Sequence, residues 1–137
     1  MELLGWELSA HYLISAHLAL QGAWTATASE DDAGQQLIRR PRMTSSVRVQ
    51  FVPRGAWSAE LGVRHVGGRN DLDFSAFPAT RASLEPVTLV EGYVAFRAGE
   101  AVTLRLRGEN LADAEPEWVW GYGSRGRALY LSVLLEL

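Results

Sequence analysis

The stretch that decides the fold stands at the end of the sequence: Arg127-Ala128-Leu129-Tyr130-Leu131-Ser132-Val133-Leu134-Leu135-Glu136-Leu137. One side of an extended chain carries Leu129, Leu131, Val133, Leu135 and Leu137, and the other carries Ala128, Tyr130, Ser132, Leu134 and Glu136. A period of two predicts a β-strand with one apolar face. A chain that closes its sheet with its final residues is typical of an outer-membrane β-barrel, because pairing of the last strand removes an open edge.

Six more stretches alternate in the same way, at residues 4–14, 18–29, about 37–52, 57–66, 89–96 and 102–109. Short turns and long polar loops alternate between them, and the long connections are residues 30–36, 67–86 and 111–126. We expect Pro41 in an irregular outer part of the third strand. The pattern predicts an all-β, antiparallel up-and-down meander of about seven strands, part of a transmembrane β-barrel with turns at one end and loops at the other.

The two faces of the predicted sheet differ in character. Large side chains fill the apolar face, which favours contact with lipid over the interior of a small closed barrel. The polar face carries charges of both signs that we expect to pair across neighbouring strands: Glu7, Arg42, Arg48, Glu60, Arg64, Glu91, Arg105, Arg107 and Glu109. Aromatic residues near the strand ends predict two interfacial belts: Tyr12, Phe51, Trp57 and Phe96 at the short turns, and Trp6 and Trp24 toward the long loops.

Composition restricts the possible functions. The 137 residues fit one domain, and 13 basic against 16 acidic residues give a net charge of −3, so nucleic acid is not an expected partner. Without cysteine there is no disulfide or thiolate metal site, and the histidines are dispersed, so no metal or other cofactor is expected. No motif joins a nucleophile to a base, so the chain is not expected to be an enzyme. No signal peptide or membrane helix is predicted.

The strand count is odd, whereas bacterial single-chain barrels have an even number. The sequence therefore predicts that at least one upstream strand is missing, or that the sheet is completed by something else. Two copies joined edge to edge would give 14 strands and cover both edges.

Four segments resemble TonB-dependent outer-membrane receptors, most closely those that import cobalamin. They are residues 37–42 (LIRRPR), 66–78 (VGGRNDLDFSAFP), 109–113 (ENLAD) and 121–127 (GYGSRGR). The resemblance implies the last seven strands of a 22-stranded barrel in the bacterial outer membrane. It implies uptake of cobalamin or a related corrinoid, with TonB acting through a plug domain. No plug is expected in residues 1–137, which form a single barrel segment.

The resemblance also implies ligand contacts. It assigns Arg39, the first arginine of its pair, and Phe74, where the family usually has tyrosine, with Arg69 as a further candidate. The alternatives are an Arg39 in the lumen or a loop that is paired with a carboxylate such as Asp31 or Asp32, and a Phe74 that only packs its own loop. A group of aromatic residues in the last long loop is expected to serve loop packing more than ligand stacking: Trp118, Trp120 and Tyr122.

Two other functions remain open from the sequence. One is a small soluble β-barrel or sandwich that binds an apolar ligand inside. The other is a truncated barrel fragment that assembles with copies of itself and transports nothing. Lipid contact separates the receptor and the fragment from the soluble protein, and corrinoid binding separates the receptor from the fragment.

Overall fold

The computed structural model describes residues 2–75 and 77–136. They form nine strands: β1 (Glu2–Ser15), β2 (Leu18–Glu30), β3 (Met43–Phe51), β4 (Trp57–Val66), β5 (Arg69–Asp73), β6 (Thr80–Leu84), β7 (Val87–Arg97), β8 (Val102–Glu109) and β9 (Ala128–Leu135). Seven of them build one antiparallel sheet in the order β1-β2-β3-β4-β7-β8-β9, and β5 pairs with β6 in a separate hairpin. The predicted all-β, up-and-down meander is confirmed. Among these residues, no helix is long and apolar enough to cross a membrane.

Two details differ from the sequence prediction. β3 begins at Met43 rather than near residue 37, because Pro41 cannot donate a ladder hydrogen bond and Arg39 has a positive φ of 59°. The second long connection, residues 67–86, is ordered as predicted, but it contains the β5–β6 hairpin that the alternation did not reveal. Both differences lie at the long-loop end of the sheet.

The polar face carries the expected cross-strand ion pairs. Arg48 Nε lies 3.0 Å from Glu60 Oε1, and Arg48 Nη2 lies 3.6 Å from Glu91 Oε1. Gly62 stands between Arg48 and Glu91 in the register, so the arginine reaches over a residue without a side chain. A second cation of this face, Arg105, lies 4.6 Å from the centroid of the Tyr93 ring.

The opposite face exposes large apolar side chains. Trp6 is 72% exposed and Leu131 is 76% exposed, whereas the buried hydrophobic residues of the described chain gather mainly beneath the long loops: Val66, Leu84, Val87 and Ala95. At the short-turn end, the Trp57 and Phe96 rings lie 4.6 Å apart. Since these strands place so little apolar surface in a core, their face needs an apolar environment such as lipid.

The loop after β8 begins with a compact turn. Asn110 Nδ2 donates to the carbonyl of Ala114 over 2.8 Å, and the amide of Ala114 donates back to Asn110 Oδ1 over 2.9 Å. Asp113 Oδ1 accepts the amide hydrogen of Arg127 over 2.9 Å, just before β9. Leu111 lies over Gly108 on the apolar face, where a Cβ atom on residue 108 would collide with its side chain. This turn therefore closes the base of the third long loop, residues 110–127.

Gly92 offers a test of the sheet packing. A Cβ atom there would lie 2.5 Å from the backbone oxygen of Glu60, which the paired strands hold in place. We expect Gly92→Ala to destabilise the folded sheet by about 1–3 kcal/mol through overpacking. The measurement is urea unfolding of the folded protein in detergent micelles. Gly55→Ala is the matched control, since no atom lies within 4 Å of its new Cβ; equal midpoints for both variants would contradict the prediction.

Candidate ligand-binding site at the long-loop end

A single buried carboxylate joins the three long loops. Asp71, on β5, is 0% exposed. Its Oδ1 accepts hydrogen bonds from Arg39 Nε over 2.8 Å and from the amide of Leu72 over 2.9 Å. Its Oδ2 accepts the amide hydrogen of Trp120 over 2.8 Å. Arg39 belongs to the first long loop and Trp120 to the third, so the second loop holds both of its neighbours through one side chain.

Further hydrogen bonds support the same arrangement. The amide of Arg39 donates to the carbonyl of Asn70 over 2.6 Å. Arg81, on β6, donates to the carbonyl of Gln36 over 2.7 Å and pairs with Asp31 at 3.3 Å. These contacts fix the first long loop, residues 31–42, against the β5–β6 hairpin.

Arg69 connects the hairpin to the third loop. Its Nη2 donates to the carbonyl of Glu117 over 2.6 Å, and its guanidinium carbon lies 5.0 Å from the centroid of the Trp118 ring. The side chain is buried, and this burial lowers the pKa of Arg69 while the nearby charge of Asp71 opposes the shift. Arg69 therefore supports one face of Trp118.

The three loops line an open cavity of about 740 Å³. We call it the loop cavity, and its lining residues are Arg39, Leu72, Asp73, Phe74, Ser75, Trp118, Val119, Trp120, Gly121, Tyr122, Gly123 and Ser124. Four of them are aromatic, one is a cation and one is an acid. Among the described residues, no group of three or more histidine, aspartate or glutamate side chains could hold a metal ion. The loop cavity is thus suited to an organic ligand with flat apolar surface and hydrogen-bond acceptors.

Both carboxylates of the hairpin have depressed pKa values. Burial alone would raise the pKa of Asp71, but hydrogen bonds from the amides of Trp120 and Leu72 and from Arg39, together with the charge of Arg39, outweigh it and lower this pKa. Hydrogen bonds from the amide and hydroxyl of Ser75, with a weaker one from the Trp120 side chain, lower the pKa of Asp73 against a small effect of burial. Both groups are therefore ionised at neutral pH.

The residues predicted from the sequence fall into two groups. Arg39 and Phe74 both line the loop cavity, although they are 35 positions apart in the chain. Arg39 is paired with a carboxylate, that of Asp71, as the alternative to a ligand contact requires. Arg69 does not line the cavity. The assignment of all three as ligand contacts stays a prediction.

Sequence reasoning missed one part of this site. It did not single out Asp71, because a carboxylate in a largely polar connection gives no sign of burial until the loops that donate to it are in place. The aromatic residues of the third loop line the cavity together with Phe74, and Trp118 also packs against Arg69, so the assignment of these rings mainly to loop packing stays a prediction.

The pKa of Asp71 predicts how the loops respond to acid. A depressed folded-state pKa means that the carboxylate contributes stability above its unfolded pKa of about 3.9, and that this contribution disappears as the pH falls through the lower folded value. We expect the near-ultraviolet circular dichroism of the tryptophans to change below about pH 4. At pH 7, Asp71→Asn should already show the near-ultraviolet spectrum that the unmodified protein shows in acid. This spectrum should change little as the pH is lowered.

The control for this titration is Glu85→Gln, which removes an exposed carboxylate just beyond the β5–β6 hairpin. It should keep the transition of the unmodified protein. A titration in Asp71→Asn that matches the unmodified protein would show that another group is responsible.

Comparison with known proteins places the chain in a family. No protein-family model matches it. It is similar to the vitamin B12 transporter BtuB of Vibrio cholerae serotype O1, with 35% identity over 109 residues that cover 77% of this chain and 17% of the transporter. The chain thus spans 17% of the length of the curated relatives that it matches.

Solved structures share the fold. The ferripyoverdine receptor of the outer membrane of Pseudomonas aeruginosa superposes with a TM-score of 0.83 at 16% identity, over 97% of this chain and 19% of the receptor. The ferric-catecholate import receptor Fiu from E. coli K12 gives 0.79 at 19% identity, over 97% and 20%. These relatives are transporters and receptors, in agreement with the expectation that the chain is not an enzyme. Sequence similarity and fold together show that the chain is a barrel segment of a TonB-dependent outer-membrane receptor.

Proposed function

We propose that this segment belongs to a receptor that takes up cobalamin or a related corrinoid, and that its three long loops form one wall of the ligand site. The observation that carries the proposal is the convergence of Arg39 and Phe74 on the loop cavity. The resemblance to corrinoid importers assigns ligand contacts to these two positions. Similarity to a vitamin B12 transporter supports the same ligand class.

The chemistry of the loop cavity fits part of a corrinoid. Aromatic rings offer flat apolar surface to the macrocycle, and Arg39 offers donors to the acceptors on its edge. Arg39 uses its Nε to donate a hydrogen bond to Asp71. The Arg39 side chain makes no other hydrogen bond within the described residues, so its two Nη groups are available to donate to a ligand. Cavities of roughly 300–1,000 Å³ accommodate drug-sized ligands, so one of about 740 Å³ holds only part of a larger corrinoid. Other parts of the receptor complete the site.

The proposed receptor surrounds this segment with further barrel strands, membrane lipid and a plug domain. Residues 1–137 form a single barrel segment, the remaining barrel strands pair with the edge strands β1 and β9, and membrane lipid covers the apolar face. The plug domain lies elsewhere in the receptor, and TonB acts through that plug. Pairing of both edges by other strands removes the need for assembly with further copies.

The role of Arg39 is tested by equilibrium binding of cyanocobalamin to the full-length receptor that carries this segment, purified in detergent. We expect Arg39→Ala to weaken binding roughly 10- to 100-fold, since a hydrogen bond to a charged group contributes about 1.5–3 kcal/mol. Arg40→Ala is the matched control, because its side chain is exposed and does not line the loop cavity. A receptor that binds a ferric siderophore and not cyanocobalamin would contradict the proposed ligand.

A substitution at Phe74 is expected to strengthen ligand binding, in contrast to Arg39→Ala. A corrinoid importer with tyrosine at this position has a hydroxyl donor that Phe74 lacks. We expect Phe74→Tyr to tighten cyanocobalamin binding roughly 2- to 10-fold through one neutral hydrogen bond, and Phe74→Ala to weaken it. Phe77→Ala is the control, since this neighbouring ring is 100% exposed and lies outside the cavity lining. Equal losses in Phe74→Ala and Phe77→Ala would show that Phe74 does not contact the ligand.

A further inference from the structure

The charged side chains around the loop cavity are not all paired with one another. Two ionised side chains line it, Arg39 with one positive charge and Asp73 with one negative charge. Asp71, directly bonded to Arg39, adds a second negative charge behind the wall. Arg69, behind Trp118, adds a second positive charge that interacts with Asp71. Since Arg39 is paired with Asp71, the charge that faces the cavity without an ion-pair partner is that of Asp73.

Asp71 compensates most of the charge of Arg39 toward a ligand. The Nε–Oδ1 distance is 2.8 Å, and the carboxylate is fully shielded from water. An opposite charge at this distance weakens the attraction that the guanidinium exerts on a ligand anion. Its free N–H groups can still donate to a neutral carbonyl oxygen, because that interaction depends on geometry more than on net charge.

Asp73 remains uncompensated. Its Oδ1 accepts the amide hydrogen of Ser75 over 2.8 Å, and within residues 2–75 and 77–136 no cation forms an ion pair with it. It lines the cavity between Leu72 and Phe74. An anionic ligand in the cavity would therefore be repelled by the Asp73 carboxylate, and no unpaired cation of the lining would offset this repulsion.

We infer that the loop cavity selects electrically neutral ligands that carry carboxamide groups over ligands of the same shape that carry carboxylates, and that Asp73 is the residue that determines this preference. The inference deepens the proposed function and rests on it. Corrinoid side chains that end in carboxamides satisfy Arg39 as acceptors and bring no charge near Asp73. Anionic metal chelates do not meet this condition.

The experiment compares cyanocobalamin with its monocarboxylates, in each of which one propionamide is hydrolysed to the acid. These probes differ by one charge and almost nothing else. Binding is measured by calorimetry to the full-length receptor at neutral pH and low salt. Two unit charges about 4–6 Å apart at a partly exposed site repel enough to weaken binding roughly 5- to 50-fold. We expect this penalty for at least one monocarboxylate isomer, and a smaller penalty for that isomer in high salt.

The substitution Asp73→Asn keeps the side-chain size and removes the charge. We expect it to reduce the penalty on the affected isomer at least threefold, measured as the ratio of its Kd to that of cyanocobalamin. Glu115→Gln removes a carboxylate of the third loop that does not line the cavity, so it should leave the ratio as in the unmodified receptor. A merely structural role of Asp73 would weaken all probes together and leave the ratio unchanged.

Each outcome is decisive. Tight binding of cyanocobalamin together with equally tight binding of every monocarboxylate would overturn the inference and leave the proposed function intact. A penalty that is the same in Asp73→Asn and the unmodified receptor would also overturn it. Absence of cyanocobalamin binding would overturn the proposed function and the inference with it.

Discussion

The arrangement of the long-loop end depends on the burial of one carboxylate. Charge in a protein interior is costly unless hydrogen bonds replace the lost water, and Asp71 obtains three of them from three separate parts of the chain. Removal of any donor leaves an ionised group that the remaining loops cannot satisfy. The donors come from all three long loops, so the burial of this carboxylate holds together the loops that line the cavity.

The sheet beneath the loops is held together by different interactions. Its strands bury little of their apolar face within this chain, and its polar face is organised by ion pairs such as Arg48 with Glu60 and Glu91. Such pairs contribute little stability at a solvated surface. Their effect is to fix the position of long side chains on the polar face of the sheet, while backbone hydrogen bonds between the strands hold the sheet together.

Much of this fold can be predicted from the sequence, because apolar and polar residues that alternate with a period of two indicate β-strands and not helices. Seven main strands, their order and the alternation of turns with loops all follow from it, and β4 and β8 have the predicted limits. The β5–β6 hairpin does not follow, because β5 is polar apart from Leu72 and is too short to show a clear alternation. Arg39 and Phe74 came from family resemblance. Asp71 could not be foreseen, since its environment is created by residues as far away as Trp120.

The turn at Asn110 has a consequence for how such receptors diversify. Its side chain closes on Ala114, and Asp113 reaches across to the backbone of Arg127, so both ends of the third loop are fixed at the rim of the barrel. Residues 115–124 can then change in sequence, or even in length, without disturbing the register of β8 and β9, because the entropic cost of closing the loop grows slowly with its length. Changes in this segment would therefore alter the lining of the loop cavity while the pairing of β8 with β9 stays as it is.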